Sequence, residues 1–202
     1  SGLTLTGANG VRAVTATISD TAGNQTQTSI NLQKDILVPT LAITSPASMT
    51  MYNASTYQTL AITGTCNKNG ATVALTGDVS GTLSASCNGT NFSFSGLTLT
   101  GATGTRTITA TISDSAGNSS QVNLNLQKDI VVPTLAISSP ASLTTFIANN
   151  YTSVAINGTC NKNGATVTLT GDVSGTLTDT CNGTNYSFTG LTLTGTDGLK
   201  SV

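Results

Sequence analysis

The sequence predicts an all-β protein made of tandem antiparallel β-sandwich domains. Thr and Ser alternate with aliphatic residues: in RTITATIS (106–113), Ile108, Ala110 and Ile112 share one face, which is the period of a half-buried strand. Clusters of Gly, Asn and Asp such as GDVSG and DSAGN separate these segments, and no segment has a helical period. About seven short strands in each repeat indicate sandwiches of the immunoglobulin-like type.

The chain consists of one repeated unit. Shifting it by 94 positions places residues 2–95 over 96–189 with about 66 identities. A unit of this size can bury a core of its own, whereas solenoid repeats of about 20–50 residues cannot. Each repeat is therefore predicted to be a whole domain. A β-solenoid built on the recurring LTLTG segment is the alternative architecture.

The domain frame is predicted from the prolines, which suit the start or edge of a strand. VPTLAITSPAS (38–48) recurs as VPTLAISSPAS (132–142). We therefore expect three parts. They are the C-terminal strands of a preceding repeat (1–38), a complete repeat (39–132) and the N-terminal part of a third (133–202).

The joints between domains are expected to be short and semi-rigid. The strand VNLNLQ leads through KDIV directly into Val132 and Pro133, with no Gly/Ser-rich linker, and a Pro-containing joint limits bending. Residues 190–202 repeat the beginning of the unit and stop within a predicted strand, so we expect the chain to be part of a longer protein.

Composition excludes several classes of function. Charged residues make up 7% of the chain and the net charge is −1, so the clustered Lys and Arg that bind nucleic acid or anionic membranes are missing. No apolar run approaches the roughly 18 residues of a membrane helix, and no signal peptide is visible. Without His or Glu, triads and the usual metal sites cannot form, so we predict that the chain is not an enzyme.

The four cysteines are predicted to form two disulfides, Cys66 with Cys87 and Cys160 with Cys181. One pair per domain, with no His and no CxxC motif, indicates disulfides rather than zinc. Strand parity in TLAITGTC and GTLSASC places both sulfurs of the first pair on inward faces. Disulfides persist in oxidising compartments, so we expect an extracellular or cell-surface location.

One inward position conflicts with this parity. Between Leu177 and Cys181 the inward residue is Asp179, where the first repeat has Ala85. Either a β-bulge or an open sheet edge would resolve the conflict. A disulfide matters in a repeat without Trp, because the hydrophobic core of such a repeat is thin. Closing the loop between the two cysteines contributes about 3 kcal/mol to the stability of the domain.

Four aspartates recur at turns and joints. Asp20 and Asp114 lie in SDTAGN and SDSAGN, and Asp35 and Asp129 lie in QKDILVP and QKDIVVP. Their plain interpretation is turn chemistry, in which Asx side chains bond nearby backbone. The alternative is calcium at the joint, although calcium takes about six to eight oxygens and the repeats offer few carboxylates.

Four aromatic residues are candidates for a ligand platform. Tyr52 and Tyr57 of one repeat correspond to Phe146 and Tyr151 of the next. Their plain interpretation is that the rings close one end of a domain. The functional alternative is binding of a glycan or a receptor.

The order of motifs resembles a known family. PTLAITSPA, ITGTCNKNGATVALTG, SCNGTNFSFSGLTLTG, TITATISDSAGN and KD..VP resemble the bacterial immunoglobulin-like repeats of large surface adhesins and biofilm-associated proteins. The resemblance spans essentially the whole chain and implies export, a tandem stalk and attachment. Some members bind calcium near the two aspartates that here correspond to Asp20 with Asp35, or Asp114 with Asp129. In this chain a lysine precedes the aspartate at the joint (KD), whereas acidic repeats of the family have a valine there (VD).

The first functional hypothesis is a stalk or spacer of an adhesin or fibre, whose partners are further copies of the repeat and a receptor outside this segment. A second is a filament subunit, in which residues 1–38 of one chain complete residues 133–202 of the next by strand addition. Residues 190–202 already supply the segment that residues 2–14 would donate. A third is a glycan- or receptor-binding module. No cofactor other than calcium is expected.

Overall fold

The computed structural model describes residues 2–201, and their fold is entirely β. The described residues include no helix, and so none that could cross a membrane. Contacts divide the chain into two compact units, Ser1–Val131 and Val132–Val202. The predicted all-β class is confirmed.

The first unit begins with an isolated hairpin. Strand β1 (Gly10–Ser19) pairs antiparallel with β2 (Gln25–Lys34) over all ten residues of each strand. Because side chains alternate between the faces, the aliphatic residues gather on one side. That side is accessible to solvent, with Ile18 69% and Ile30 56% exposed.

The rest of the first unit is a sandwich of two sheets. Across the first sheet lie β3 (Leu41–Ser45), β5 (Leu60–Cys66), β9 (Asn91–Leu99) and β7 (Val79–Ser80). Across the second lie β4 (Met51–Asn53), β11 (Ser119–Asp129), β10 (Gly104–Ser113), β6 (Thr72–Gly77) and β8 (Ser84–Ser86). The β4–β11 pair is parallel, and the other pairs are antiparallel. The arrangement is that of an immunoglobulin-like sandwich.

Alternating aliphatic residues fill the space between the sheets. Ile108, Ala110 and Ile112 of β10 are fully buried, as the sequence predicts. Strands of both sheets add the other large buried side chains, which are Leu60, Ile62, Val73, Leu75, Leu97, Leu99 and Leu126. Phe92 and Phe94 meet edge to face, with ring centroids 6.1 Å apart, a favourable geometry for aromatic pairs.

Gly64 in β5 makes room for one of these rings. A Cβ atom built on Gly64 would overlap both the Phe92 ring and the Ala42 carbonyl oxygen. A glycine inside a strand often marks such a close approach. The absence of a side chain at this position therefore lets Phe92 pack across the first sheet.

The second unit repeats the strand order of the corresponding part of the first. One sheet contains β12 (Leu135–Ser139), β13 (Val154–Cys160), β17 (Asn185–Leu193) and β15 (Val173–Ser174). Strands β14 (Thr166–Thr168) and β16 (Thr178–Thr180) pair only with each other within the described residues. The core of this unit contains, among others, Val154, Ile156, Val167, Leu169, Tyr186, Phe188 and Leu191.

The strand count differs from the prediction. The sandwich of the first unit has nine strands, from β3 to β11, rather than about seven. Short strands account for the difference: β4, β7 and β8 have two or three residues each. Segments of that length are too short to show an alternating pattern. The β-solenoid alternative is wrong, because the strands pair mainly antiparallel in the sheets of a sandwich rather than in stacked coils.

Candidate functional site at the joint between repeats

A lysine and two aspartates meet where the hairpin runs into the sandwich. The Nζ atom of Lys68 lies 2.7 Å from Oδ2 of Asp35 and 2.8 Å from Oδ2 of Asp114. Asp35 directly follows β2, whereas Lys68 and Asp114 belong to loops of the sandwich. Together with Asn118 we call these residues the joint network.

The turn between β10 and β11 holds the Asp114 carboxylate. Its Oδ1 atom accepts hydrogen bonds from the backbone N–H groups of Ala116 and Asn118, at 3.0 and 2.9 Å. Its Oδ2 atom accepts one from the Asn118 side-chain amide at 3.1 Å, in addition to the bond from Lys68. The side chain is only 1% exposed. Hydrogen bonds from Lys68, and then from Asn118, hold the pKa of Asp114 far below its usual value.

The Asp35 side of the network belongs to the segment between β2 and β3. The Asn118 amide donates to the Asp35 carbonyl oxygen at 3.1 Å, and the Leu37 N–H donates to its carboxylate. The Ser120 hydroxyl donates to the carbonyl oxygen of Pro39 at 2.6 Å. The hydrogen bond from Lys68 is the main cause of a lowered pKa at Asp35. Side chains of the sandwich thus bind the chain segment that enters it.

Asp20 shows what the same turn does without a lysine. In the β1–β2 turn its carboxylate accepts bonds from the Ala22 and Asn24 N–H groups and from the Asn24 side-chain amide. The bond from that amide is the main cause of the lowered pKa of Asp20. This is the predicted Asx-turn chemistry. The joint network adds a cation and a second carboxylate to that same turn.

The predicted calcium pairs do not meet as pairs. Asp20 follows β1 and Asp35 follows β2, so they lie at opposite ends of a ten-residue hairpin, about 30 Å apart at a strand's rise per residue. Asp114 and Asp129 are separated in the same way along β10 and β11. The carboxylates that meet, Asp35 and Asp114, come instead from successive repeats.

The joint network does not fit a calcium ion as it stands. Calcium takes about six to eight oxygen ligands, and no cluster of three or more metal-ligating His, Cys, Asp or Glu side chains occurs within residues 2–201. The space between Asp35 and Asp114 contains the ammonium group of Lys68. The cation at this joint is therefore a side chain.

The cysteines pair within each unit. Cys66 is bonded to Cys87 and Cys160 to Cys181, each with 6.1 Å between the Cα atoms. All four side chains are buried. In the first unit the bond joins the end of β5 to the segment after β8, and therefore links the two sheets.

Asp179 lies on an edge strand. Within the described residues its strand β16 pairs only with β14, and the Oδ2 atom of Asp179 accepts a hydrogen bond from the Ser187 N–H of β17 at 2.9 Å. That bond is the main cause of the lowered pKa of Asp179. An open sheet edge, rather than a β-bulge, therefore explains how the carboxylate of Asp179 is accommodated. A cleft of about 670 Å³ adjoins Asp179, and hydroxyl groups of its lining bond other lining residues: the Ser187 hydroxyl bonds the Asn157 side chain, and the Ser138 hydroxyl donates to the Asn157 carbonyl oxygen.

The four aromatic candidates do not form an exposed platform. Tyr52 and Tyr57 are half-buried against the core of the first unit, and burial raises the pKa of Tyr52. The Lys128 ammonium lies over the Tyr57 ring, 4.3 Å from the ring centre, and so covers one face of that ring. In the second unit Phe146 packs against the core, and Tyr151 is 41% exposed.

Sequence reasoning missed Lys68. Its segment CNKNG occurs in both repeats, but the pattern there predicts only a disulfide, through the neighbouring cysteine. The available signal was an unassigned basic residue in a chain with only seven. Its partners are 33 and 46 residues away along the chain, so no local pattern identifies them.

Comparisons with known proteins give distant similarities. No protein-family model matches the sequence, and no curated protein matches it significantly. The fibronectin(III)-like modules of Clostridium thermocellum CbhA are 18% identical, with 74% of this chain and 78% of theirs covered and a TM-score of 0.38. A Ca²⁺-stabilized adhesin that helps an Antarctic bacterium reach out and bind ice is 24% identical, with 88% of this chain covered and a TM-score of 0.36. The chain spans about half of that structure, covering 48% of it. Similarity at this level supports no conclusion about function.

Replacing both Cys66 and Cys87 by Ala should lower the free energy of unfolding of the first unit by about 3 kcal/mol, because the unfolded chain regains the entropy of an open loop. Urea denaturation followed through NMR signals of β5 and β9 measures this change. The matching substitution of Cys160 and Cys181 is the control and should act on signals of β13 and β17. An unchanged first-unit midpoint would contradict the structural role of the disulfide.

The joint network should make the stability of the first unit depend on pH. The pKa values of Asp35 and Asp114 are lowered on folding, so their contribution is present above about pH 4 and is lost as the pH falls through the folded values. The pKa of Lys68 is raised, mainly by Asp114, so its contribution is lost as the pH rises above about 10.

We therefore expect the urea midpoint to fall on both sides of a plateau between these limits. In Lys68→Met the fall on the acidic side should be shallower, because the main cause of both lowered carboxylate pKa values is gone. Identical acid profiles for the two proteins would show that Lys68 does not stabilise the carboxylates.

Proposed function

We propose that the chain is a segment of the stalk of a bacterial surface adhesin or secreted fibre. The observation that supports this best is the joint network, because the segment that enters the sandwich is bonded to it directly. Asp35 binds Lys68, and Asn118 binds the Asp35 carbonyl oxygen. A freely jointed chain of domains does not need such bonds, whereas a semi-rigid array does.

The proposed domain frame follows the same logic. Residues 1–38 are the last strands of one repeat, 39–132 are a complete repeat, and 133–202 open a third. The β1–β2 hairpin corresponds, by the shift of 94 positions, to β10–β11 with the same register. In a stalk each such hairpin closes one sandwich, and the residues after it enter the next.

Strand geometry suits a protein under tension. The parallel partners β4 and β11 lie near the start and the end of the sandwich, and the Gln127 N–H bonds the Thr50 carbonyl oxygen at 2.9 Å. Pulling the two ends apart slides parallel strands past each other, which loads their hydrogen bonds together rather than one at a time. The disulfide bond limits how far the chain extends once the sheets separate.

Location follows from the cysteines. Two buried disulfides are stable in an oxidising environment and rare in the cytosol. We therefore propose that the protein is located outside the cell or on the cell surface. The partners are further copies of the repeat, and the receptor binds outside this segment.

A specific observation also favours a second candidate, a self-assembling filament. The apolar face of the β1–β2 hairpin is exposed, whereas its counterparts Ile112 and Leu124 in β10–β11 are buried. In the first unit β10 pairs with β6, with Ile112 opposite Val73. A second copy docked in the same register would place Ile18 opposite Val167.

Assembly would require a displacement at the end of the second unit. The Ser201 N–H donates to Asp172 Oδ2, as the Thr107 N–H donates to Asp78 Oδ2 in the first unit. Ser201 therefore lies where the docked hairpin would place Ala13. A donated hairpin has to replace these last residues, which makes the filament the second candidate rather than the first.

The stalk proposal predicts a resolvable mechanical event in single-molecule pulling of the full chain. With the disulfide intact, the 21-residue separation of Cys66 and Cys87 should keep roughly 70 Å of chain from extending. Adding a reductant should therefore lengthen the extension released by the first unit by that amount. Extension without any force peak, under either condition, would contradict a stalk.

The filament proposal predicts fibres of the purified chain in electron micrographs. Ile18→Lys should abolish them, because it places a charge on the docking face, and deletion of residues 1–38 should do the same. Thr17→Lys is the matched control, since Thr17 lies on the opposite face of β1. Absence of fibres from the unaltered chain, or their survival after the deletion, would exclude strand exchange.

A further inference from the structure

The turn of the β1–β2 hairpin has the same internal bonds as the turn that carries Asp114. Asp20 accepts two backbone N–H groups and the Asn24 side-chain amide. Asp114 accepts the corresponding groups, including the amide of Asn118. Asp114 is buried and bound to Lys68, whereas Asp20 is exposed. The hairpin therefore presents to solvent an ordered carboxylate of the kind that binds a lysine in the first unit.

We propose that the Asp20 carboxylate binds Lys162 of a second copy, so that strand exchange rebuilds the joint network between two chains. Lys162 corresponds to Lys68 by the shift of 94 positions. The inference rests on the filament candidate given above, and it names the polar groups by which one copy recognises the next.

Each contact of the joint network has a counterpart on the two surfaces that would meet. The hairpin offers a carboxylate, an amide and a hydroxyl, supplied by Asp20, Asn24 and Thr26 where the first unit has Asp114, Asn118 and Ser120. The second unit and the segment before it offer a carboxylate with its backbone carbonyl, a second carbonyl and an ammonium, supplied by Asp129, Pro133 and Lys162 where the first unit has Asp35, Pro39 and Lys68. A docked hairpin can therefore repeat the bonds of the first unit.

Apolar surface accompanies these polar groups on both sides. The hairpin exposes aliphatic side chains whose counterparts in β10–β11 are buried, namely Val14, Ile18, Ile30 and Leu32. The second unit exposes Leu135 and Ile137 by 58% and 51%, whereas their counterparts Leu41 and Ile43 pack against the core of the first unit. Burial of apolar surface provides affinity, and matched charges fix register and exclude wrong partners.

The strand that would accept the hairpin has an open edge. Within residues 2–201 β14 pairs with β16 alone, whereas its counterpart β6 lies between β8 and β10. In the register of β10 on β6, Ser113 lies opposite Thr72. The same register between copies places Ser19 opposite Thr166.

The bonds lost on displacing the last residues are regained on docking. Ser201 donates to the Asp172 carboxylate and accepts the Asp172 N–H at 3.2 and 2.7 Å. In the first unit Thr107 makes the same two bonds with Asp78 at 3.0 and 2.9 Å. Ala13 of the docked hairpin corresponds to Thr107 and has both backbone groups, so the exchange conserves these hydrogen bonds.

The experiment measures register and affinity separately, in the full chain. Ser19→Cys and Thr166→Cys are both exposed positions, and the native cysteines are all in disulfides. Oxidation of this double variant and a non-reducing gel test the register. Ser19→Cys with Thr170→Cys is the control, because it moves one thiol about 13 Å along the strand. Sedimentation velocity without the added cysteines gives the concentration at which half of the chains assemble.

We expect the first cysteine pair to give covalent oligomers and the control pair to give far fewer. Asp20→Asn and Lys162→Met should each raise the half-assembly concentration about tenfold, since each removes one hydrogen bond between charged groups. Asp20→Asn keeps the side-chain oxygen that accepts the N–H groups of the turn, and NMR signals of β1 and β2 check that the hairpin is intact. The combined variant should be no weaker than either single one, because the two side chains act on each other.

Three results would overturn the inference. If covalent oligomers form in register but neither substitution changes the half-assembly concentration, Asp20 does not bind Lys162, and the filament candidate stands without it. If the effects of the two substitutions multiply in the combined variant, the side chains act independently and do not meet. If the unaltered chain does not assemble at all, the inference and the filament candidate both fail, and the stalk proposal is unaffected.

Discussion

The packing of the β10–β11 hairpin onto β6 is the constraint on which the joint depends. Its apolar face, with Ile108 and Ile112, is buried completely, and burial of aliphatic surface is the main favourable contribution to folding. The same packing sets the register in which Ser113 lies opposite Thr72. That register brings Asp114 next to the loop between β5 and β6. The hydrophobic core thereby determines where the carboxylate meets Lys68.

An ion pair of this kind orients the joint more than it stabilises the fold. Exposed salt bridges contribute little to the free energy of unfolding, and Lys68 and Asp35 are both partly exposed. Asp114 is different, because its buried carboxylate already accepts three hydrogen bonds within its own turn. The β10–β11 turn keeps the Asp114 carboxylate fixed and charged. Lys68 binds this fixed charge, and Asp35 binds Lys68, so the turn determines where the three side chains meet.

Local pattern was sufficient for the strands but not for the joint. Alternation predicted β10 and its inward residues, and parity predicted the inward direction of Cys66, because both depend on neighbours within one strand. The short strands β4 and β7 carry no such period. Lys68 bridges Asp35 and Asp114, which come from successive repeats, whereas the pairs predicted from the sequence lie within one repeat. Long-range contacts of this kind depend on sheet register and loop position, which no local window contains.

The two repeats also show how far side chains can change while the strand order of a sandwich stays the same. Phe92 is replaced by Tyr186, and the added hydroxyl donates to the carbonyl oxygen of Ala136. Ala85 is replaced by Asp179, whose carboxylate accepts the Ser187 N–H. Each new polar group finds a partner, so the strand order is unchanged. Tyr186 lies in β17, between β13 and β15, whereas Asp179 lies in the edge strand β16. The same strand order therefore accommodates a new polar group both inside a sheet and at a sheet edge.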